Sequence, residues 1–289
     1  MLGLAEAGKR RLAYGFWRYR VGDEDTAEAM LSAARENGID HLDTADVYGG
    51  PGGYGASETV MGNVRKRAPS LFSGAFIATK GGVEKGTPYN SSSAYLKAAC
   101  DGSLKRLGVE RIDLFYIHRP DLISHPEDVA ETLDGLVAAG KVAHIGASNF
   151  TVHQISAYTH YLRAPIVAHQ MEFSAAQFVH LFDGTLDQAM ERKMAVCAWS
   201  PMAGGRLAEG GPAELANVRE SLAKLAAKYG VSLTTMAYAY LHTHPAPVTP
   251  ILGTKTPDRL REAVKAAAVT ITKPEWYGVL QAAMGERLP

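Results

Sequence analysis

The sequence predicts an α/β fold, a (β/α)8 TIM barrel of eight parallel strands with two extra helices, one before the last strand and one at the C-terminus. Short apolar runs alternate with longer amphipathic runs along the chain, a pattern typical of parallel strands joined by helices. The 289 residues contain eight such units. Eight is the number of strand–helix units in a closed barrel with right-handed crossovers. No low-complexity linker divides the chain, so we expect a single domain over residues 1–289.

The strands are predicted at the short apolar runs. In chain order these are Leu12–Phe16, Ile39–Asp43, Ala75–Thr79, Leu114–His118, Val142–Ala147, Ile166–His169, Ala195–Trp199 and Val248–Leu252.

The helices are predicted at the amphipathic runs between these strands, and residues at their ends support several of the bounds. Gly38, Gly108 and Gly140 follow helix ends and suit a positive φ. Ser57 with Glu58, and Thr256-Pro257-Asp258, are typical helix starts. The predicted helices lie near 24–37, 57–68, 91–107, 127–139, 152–161, 182–192, 214–228 and 257–267, with the extra helices near 233–242 and 275–284.

Composition excludes several classes of protein. Lys and Arg equal Asp and Glu in number, so no overall charge favours nucleic acid or an anionic membrane. Cys100 and Cys197 lie in apolar patterns, which indicates reduced core thiols and a reducing compartment. The start of the chain, Met1–Glu6, reaches charge too early for a signal peptide, and no run is long enough to span a membrane. We therefore expect a cytoplasmic protein.

Four titratable residues follow or end three successive strands. Asp43 ends the second strand, Tyr48 lies on the loop after it, Lys80 follows the third strand, and His118 ends the fourth. The carboxyl ends of barrel strands meet at one rim, which is where active sites of this fold lie. Each residue alone has an ordinary structural explanation, such as a helix cap or a core histidine. The four together predict a site.

These residue types suit the reduction of a carbonyl group. Tyr48 could protonate the oxygen if the Lys80 ammonium lowered the pKa of its phenol toward neutral pH. Asp43 would pair with Lys80 and keep it charged, and His118 could donate a hydrogen bond that polarises the carbonyl. A metal site at Asp43 and His118 is disfavoured, because Lys80 would be a poor neighbour for a cation.

The run Gly50-Pro51-Gly52-Gly53-Tyr54-Gly55 matches the G-x-G-x-x-G dinucleotide motif literally. It does not follow its strand directly, and no acidic residue lies at the expected distance after it. We interpret it as a flexible loop beside the pocket rather than as a Rossmann fingerprint.

Several segments through nearly the whole chain resemble the aldo-keto reductase superfamily, in that family's order. The form Ile117-His118-Arg119-Pro120-Asp121 is similar to a bacterial, YdhF-like branch of oxidoreductases. The matching segments are Gly38–Tyr48, Thr79-Lys80, Ile117–Asp121, Gly146–Phe150, Ala198–Pro201 and Gly253–Arg259. The resemblance implies a (β/α)8 barrel, NAD(P)H-dependent reduction of aldehydes or ketones, and a catalytic tetrad at Asp43, Tyr48, Lys80 and His118 with Tyr48 as the proton donor.

Polar side chains after the fifth and sixth strands suit a nicotinamide. Ser148, Asn149 and Gln170 carry hydroxyl and amide groups that can pair with a carboxamide. Trp199 ends the seventh strand and offers a flat face on which the ring can stack. These positions match the family's nicotinamide contacts.

The rest of the cofactor is expected at two later loops. Glycines after Trp199 let backbone amides approach a pyrophosphate, and the helix start near Pro257 attracts phosphate. Charge-assisted bonds to an adenosine 2′-phosphate favour NADP(H), with NAD(H) as the alternative. The expected contacts are Ser200, Pro201, Met202, Gly204, Arg206, Gly253, Thr254, Lys255, Arg259 and Glu262. The sequence departs from the family pattern at Gly253, which occupies the usual lysine position, and at Ala263, which replaces an asparagine often found near the adenine.

The substrate pocket is expected to be open and mostly apolar. The loop after His118 and the tail after the last helix are short, so we expect no long lids over the substrate and expect small aldehydes or ketones to be accepted. Arg119 either attracts an anionic substrate or pairs with Asp121. The expected lining residues are Phe16, Trp17, Val47, Tyr54 and Arg119, with Trp199.

Two other classes of function remain open from the sequence. A non-catalytic NADPH-binding sensor, or an ancillary subunit of a membrane complex, would share every motif above. A metal-dependent barrel hydrolase would use His242 and His244, but this pair falls at a helix end. The sequence does not fix the oligomeric state, and a monomer is slightly favoured.

Overall fold

Strands and helices alternate along the residues that the computed structural model describes, 12–50 and 53–289. Pro51 and Gly52 of the glycine-rich loop, and the chain start Met1–Glu6, lie outside the described residues. The strands are β1 Ala13–Gly15, β2 His41–Asp43, β3 Phe76–Gly81, β4 Ile112–Ile117, β5 Val142–Ser148, β6 Ile166–Glu172, β7 Ala195–Trp199 and β8 Val248–Leu252.

The α-helices follow the strands in the predicted order. Two are additional to the repeating units, α8 before the last strand and α10 at the end of the chain. The helices are α1 Glu24–Glu36, α2 Ala56–Arg67, α3 Ser93–Leu107, α4 Pro126–Ala138, α5 Val152–Tyr161, α6 Thr185–Glu191, α7 Ala216–Tyr229, α8 Leu233–Thr243, α9 Pro257–Lys265 and α10 Lys273–Met284.

The eight strands form a closed barrel in sequence order, and each strand pair for which a register is defined is parallel. The predicted fold class is therefore confirmed. Asp43 lies opposite Ala78, two residues before Lys80, and Ile117 lies opposite Gly81. This register brings the ends of β2, β3 and β4 to one edge of the sheet, where the sequence predicted the site.

The chain forms two compact units. The first, Ala13–Gln170, contains β1 to β5, most of β6 and the first five helices, and its apolar core includes Leu42, Leu114 and Ile145. The described residues of the second are Leu12 and Met171–Pro289. In this unit Trp276 of α10 stacks on Tyr240 of α8, with ring centroids 5.0 Å apart.

The helix ends agree with the sequence at most of the predicted positions. Gly38, Gly108 and Gly140 have positive φ, and α9 begins at Pro257 after Thr256. The helix start predicted at Ser57 and Glu58 is confirmed to within one residue, since α2 begins at Ala56, but its N-cap residue is Gly55, whose φ is 80°, and not Ser57.

Ser57 and Glu58 instead serve tertiary contacts inside the first turn of α2. The Ser57 hydroxyl donates to the carbonyl of Phe16 at 2.7 Å. Glu58 accepts from Thr79 at 2.5 Å and from Arg106 at 2.7 Å. No α-helix among the described residues is both long and apolar enough to cross a bilayer.

Candidate active site

The centre of the site is a buried ion pair between the ends of β2 and β3. The Lys80 ammonium is fully buried and lies 2.7 Å from Asp43 Oδ1 and 2.7 Å from the Thr44 carbonyl oxygen. The second carboxylate oxygen, Asp43 Oδ2, accepts from the Gln170 amide at 2.8 Å. Both oxygens of Asp43 are thus hydrogen-bonded, which offsets part of the cost of removing the pair from water.

The loop after β2 brings Tyr48 to this pair. Its backbone is tied to the strand by a bond from Asp46 N to the Lys80 carbonyl, at 3.1 Å, and to α2 by a bond from Ser57 N to the Tyr48 carbonyl, also 3.1 Å. The Lys80 ammonium lies 4.8 Å from the centroid of the Tyr48 ring. The Tyr48 and His118 rings meet edge to face, with centroids 5.5 Å apart. Asp43, Tyr48, Lys80 and His118 therefore lie together.

Burial governs the ionisation of Tyr48 and Lys80. Burial raises the pKa of the Tyr48 phenol, and this outweighs the lowering by the Lys80 ammonium. Lys80 lowers the pKa of Tyr48, as expected, but burial outweighs this effect, so the pKa does not fall toward neutrality. Burial tends to lower the pKa of Lys80, but Asp43 and Tyr48 outweigh it, so the pKa is raised. Near neutral pH the site holds a protonated phenol beside a charged ammonium.

His118, just beyond β4, is held neutral. Burial lowers the pKa of its imidazole well below the usual value, and the charges of Lys80 and Arg119 lower it further. His118 Nδ1 has no hydrogen-bond partner among the described residues. A neutral imidazole carries one N–H, so His118 can donate a hydrogen bond without carrying a charge.

Asp121 organises the loop after β4 and does not pair with Arg119. Its carboxylate accepts from Ser91 N at 2.8 Å, from Ser124 Oγ at 2.6 Å and from Ile123 N at 3.1 Å. Arg119 is half-buried, and its guanidinium makes no hydrogen bond or ion pair with any other described residue. Of the two interpretations offered by the sequence, the Arg119–Asp121 pair is wrong.

Asp46 is a buried carboxyl beside the site that the sequence analysis missed. Its Oδ1 has no partner among the described residues. Its Oδ2 lies 3.2 Å from the Tyr95 hydroxyl, which donates at a shorter 2.6 Å to the Val83 carbonyl. Burial, with the nearby charge of Glu58, raises the pKa of Asp46 to about 7. The signal was present in the sequence as a second carboxylate in the same loop, three residues after Asp43.

The other predicted residues of the first unit occupy varied positions. Ser148 is buried at the end of β5, and its Oγ accepts from Asn149 Nδ2 at 2.8 Å. Asn149 itself has a φ of 59°. Trp17 is 52% exposed and lies against the Arg18 guanidinium, and Tyr54 is 49% exposed. Val47 is half-buried, whereas Phe16 is fully buried and packs against Tyr14 and Tyr19.

In the second unit, the predicted cofactor residues follow β7 and β8. Trp199 is half-exposed at the end of β7, and the following backbone has positive φ at Ser200 and at Gly204. Arg206 pairs with Glu214 at 2.9 Å. After β7, Pro201 is buried and Met202 is half-buried. Before α9, Gly253, Thr254 and Lys255 are half-buried. On α9, Arg259 is exposed and Glu262 pairs with Lys265 at 2.7 Å.

The chain is similar to known proteins over nearly its whole length. The sequence model of the aldo/keto reductase family matches residues 11–282. A 6-dehydroglucose reductase of Novosphingobium aromaticivorans is 43% identical over 282 residues, covering 96% of this chain and 93% of that protein. Oxidoreductase YdhF of Escherichia coli is 30% identical over 290 residues, covering 96% and 95%. The crystal structure of the thermostable aldo-keto reductase Tm1743 bound to epalrestat has a TM-score of 0.80 at 22% identity, covering 96% and 98%.

Proposed function

This chain belongs to the aldo/keto reductase family, and we propose that it is an NADPH-dependent enzyme that reduces small aldehydes or ketones to alcohols. The observation that carries the proposal is the buried Lys80–Asp43 pair beside a protonated Tyr48 and a neutral His118. The name of the relative from Novosphingobium makes 6-dehydroglucose one aldehyde to test.

In the proposed reaction each member of the tetrad has one task. The neutral imidazole of His118 donates a hydrogen bond that orients and polarises the carbonyl oxygen. Tyr48 gives its phenolic proton to that oxygen as negative charge develops there. The Lys80 ammonium stabilises the phenolate that remains, and Asp43 keeps Lys80 charged and fixed. When bound, the dihydronicotinamide supplies the hydride for the carbonyl carbon.

Residues in each of the two units have the chemistry to bind one part of a dinucleotide. Ser148 and Asn149 present polar groups suited to a carboxamide. The positive φ values at Ser200 and Gly204 support a loop whose amides turn toward an anion. Lys255 and Arg259, at and after the start of α9, would hold the 2′-phosphate of NADPH.

The reaction is tested by the loss of NADPH absorbance with a panel of carbonyls. The panel includes 4-nitrobenzaldehyde, methylglyoxal, diacetyl and 6-dehydroglucose. Tyr48→Phe should lower kcat by roughly 100-fold or more while NADPH binding is retained, because only the acid is removed. A variant with normal kcat would reject Tyr48 as the donor. Cofactor binding without turnover of any carbonyl by the wild type would favour a sensor or ancillary subunit instead.

The cofactor preference has its own test. Replacing Lys255 and Arg259 together by alanine should lower the ratio of kcat/KM for NADPH to that for NADH by roughly 10-fold or more, since charged bonds to phosphate are lost. Arg261→Ala is the matched control, because Arg261 lies on the same helix but pairs with Asp258. An unchanged ratio in the double variant would contradict the NADPH preference.

A further inference from the structure

Arg119 is the residue next to His118 in the chain and brings a positive charge to this end of the barrel. It follows His118 at the carboxyl end of β4, and the His118 ring contacts Tyr48. The charge of Arg119 acts on both of these residues, lowering the pKa of the His118 imidazole and opposing the rise at the Tyr48 phenol. A group bound to this guanidinium would therefore lie near a carbonyl held by Tyr48 and His118.

The other cations near the site have carboxylate partners. Lys80 pairs with Asp43, and Arg106 pairs with Glu58, each at 2.7 Å. Arg119 has no such partner among residues 12–50 and 53–289, although it is half-buried. The nearest carboxylate along the chain, Asp121, is taken up by its own loop. The N–H donors of Arg119 are thus left without an acceptor from the described residues, and the oxygens of a bound ligand would supply one.

The charge balance of the site favours an anionic ligand. Lys80 and Asp43 cancel each other, and Tyr48 and His118 are neutral. The Asp46 carboxyl accepts a hydrogen bond from Tyr95 and makes none with Arg119, and it is only partly ionised near pH 7. Among the described residues named here, Arg119 has the charge that no partner compensates, and such a charge raises the local concentration of anions.

We propose that Arg119 binds an anionic substituent of the carbonyl substrate, a carboxylate or a phosphate, so that oxo acids or phosphorylated aldehydes are reduced in preference to uncharged carbonyls of similar size. The guanidinium fork matches two oxygens of either group. Binding energy from this remote group fixes the carbonyl next to Tyr48. The proposal rests on the carbonyl reduction proposed above.

The test compares kcat/KM within matched substrate pairs. The pairs are 4-oxobutanoate with butanal, 4-carboxybenzaldehyde with its methyl ester, and glyceraldehyde 3-phosphate with glyceraldehyde. The wild type should prefer the anionic member, and added salt should weaken that preference. Arg119→Gln should lower the anionic-to-neutral ratio about 10- to 100-fold, the range for a charge-assisted pair, and Arg119→Lys should lower it less. Arg111→Gln, which removes an exposed charge before the start of β4, should leave the ratio unchanged.

The outcomes separate the two proposals. Carbonyl turnover without preference for the anionic member, or an unchanged ratio in Arg119→Gln, would overturn the anion site and leave the reductase assignment intact. The anion site would also be overturned if Arg119→Gln reduced turnover of uncharged 6-dehydroglucose as much as that of the acids. If no carbonyl is reduced, the reductase assignment fails, and calorimetry with 4-hydroxybutanoate and NADP⁺ decides the anion site. Binding by the wild type that Arg119→Gln lacks would support it, and equal or absent binding would reject it.

Discussion

Asp43 and Lys80 hold opposite charges where water hardly reaches, so each depends on the other. Asp43→Asn leaves the Lys80 ammonium without a counter-charge and should lower the free energy of unfolding by about 3–5 kcal/mol. Lys80→Met should cost a similar amount, and the double variant should cost clearly less than the sum. Urea unfolding at pH 7 measures all three. Asp25→Asn is the control, because Asp25 pairs with Arg67 in solvent and should cost about 1 kcal/mol or less.

Asp46 should make stability depend on pH. Its pKa rises from 3.8 to about 7 on folding, so between these values the folded chain binds the proton that the unfolded chain has lost. The contribution of Asp46 to stability is therefore present at low pH and is lost as pH rises toward 7. Tyr95, Glu58 and Arg106 are the titratable or charged groups that act on it.

Asp46→Asn removes this titration. Relative to the wild type, the variant should gain roughly 2–3 kcal/mol of unfolding free energy between pH 5 and pH 8. Urea unfolding of both proteins at the two pH values measures the difference. Parallel pH profiles would show that Asp46 is ionised throughout this range.

At this scale the sequence shows which residues reach a strand end but not what surrounds them. Asp43, Lys80 and His118 could be located because strand periodicity places them directly. Whether Arg119 pairs with Asp121 could not be predicted. The answer depends on the hydrogen bond between Asp121 and Ser91, which lies thirty residues earlier in the chain. The direction of the Tyr48 shift could not be predicted either, because it is decided by how much protein covers the ring.

Helices α2 and α3 approach closely at Gly62. A Cβ at this position would lie 2.0 Å from the Arg106 carbonyl oxygen, which no side-chain rotation can relieve. Gly62→Ala should therefore lower the free energy of unfolding by about 1–3 kcal/mol, as overpacking does. Gly135→Ala in α4 is the control, because a Cβ there meets nothing within 4 Å. It should stabilise by about 0.5–1 kcal/mol, and thermal unfolding of both variants measures the contrast.

The bounds of a helix or strand could be predicted where the local sequence pattern sets them without tertiary contacts. The strands β7 and β8 have the predicted bounds, and Gly38 ends α1 as expected. At other positions, contacts with distant segments or the backbone conformation of a glycine set the bounds. The N-cap of α2 is Gly55 and not Ser57, because Ser57 and Glu58 bond to other segments rather than to the helix end. The start of α6 moved to Thr185 because Gly184, with a φ of 81°, is its N-cap residue.

For the molecule as a whole, the fold class could be predicted because eight units of strand and helix have few ways to bury their apolar faces. The number of units is read from the hydrophobic periodicity. It does not change if the predicted ends of an element are wrong by two or three residues. The number of strand–helix units does not show which loops after the strands present polar groups to a ligand. Those loops, and not the barrel strands, determine the substrate.

A proposed cofactor that binds only the folded chain should stabilise the whole barrel. At a concentration of about 100 times Kd, NADPH adds about 2.7 kcal/mol to the free energy of unfolding. For a chain of 289 residues that corresponds to a rise in Tm of roughly 4 °C. Tyr48→Phe should show the same rise, because the phenol is assigned to proton transfer and not to cofactor binding. The Lys255→Ala, Arg259→Ala double variant should lose part of the rise with NADPH at fixed concentration but not with NADH. A Tm unmoved by both cofactors would contradict the cofactor assignment even if a carbonyl substrate were found.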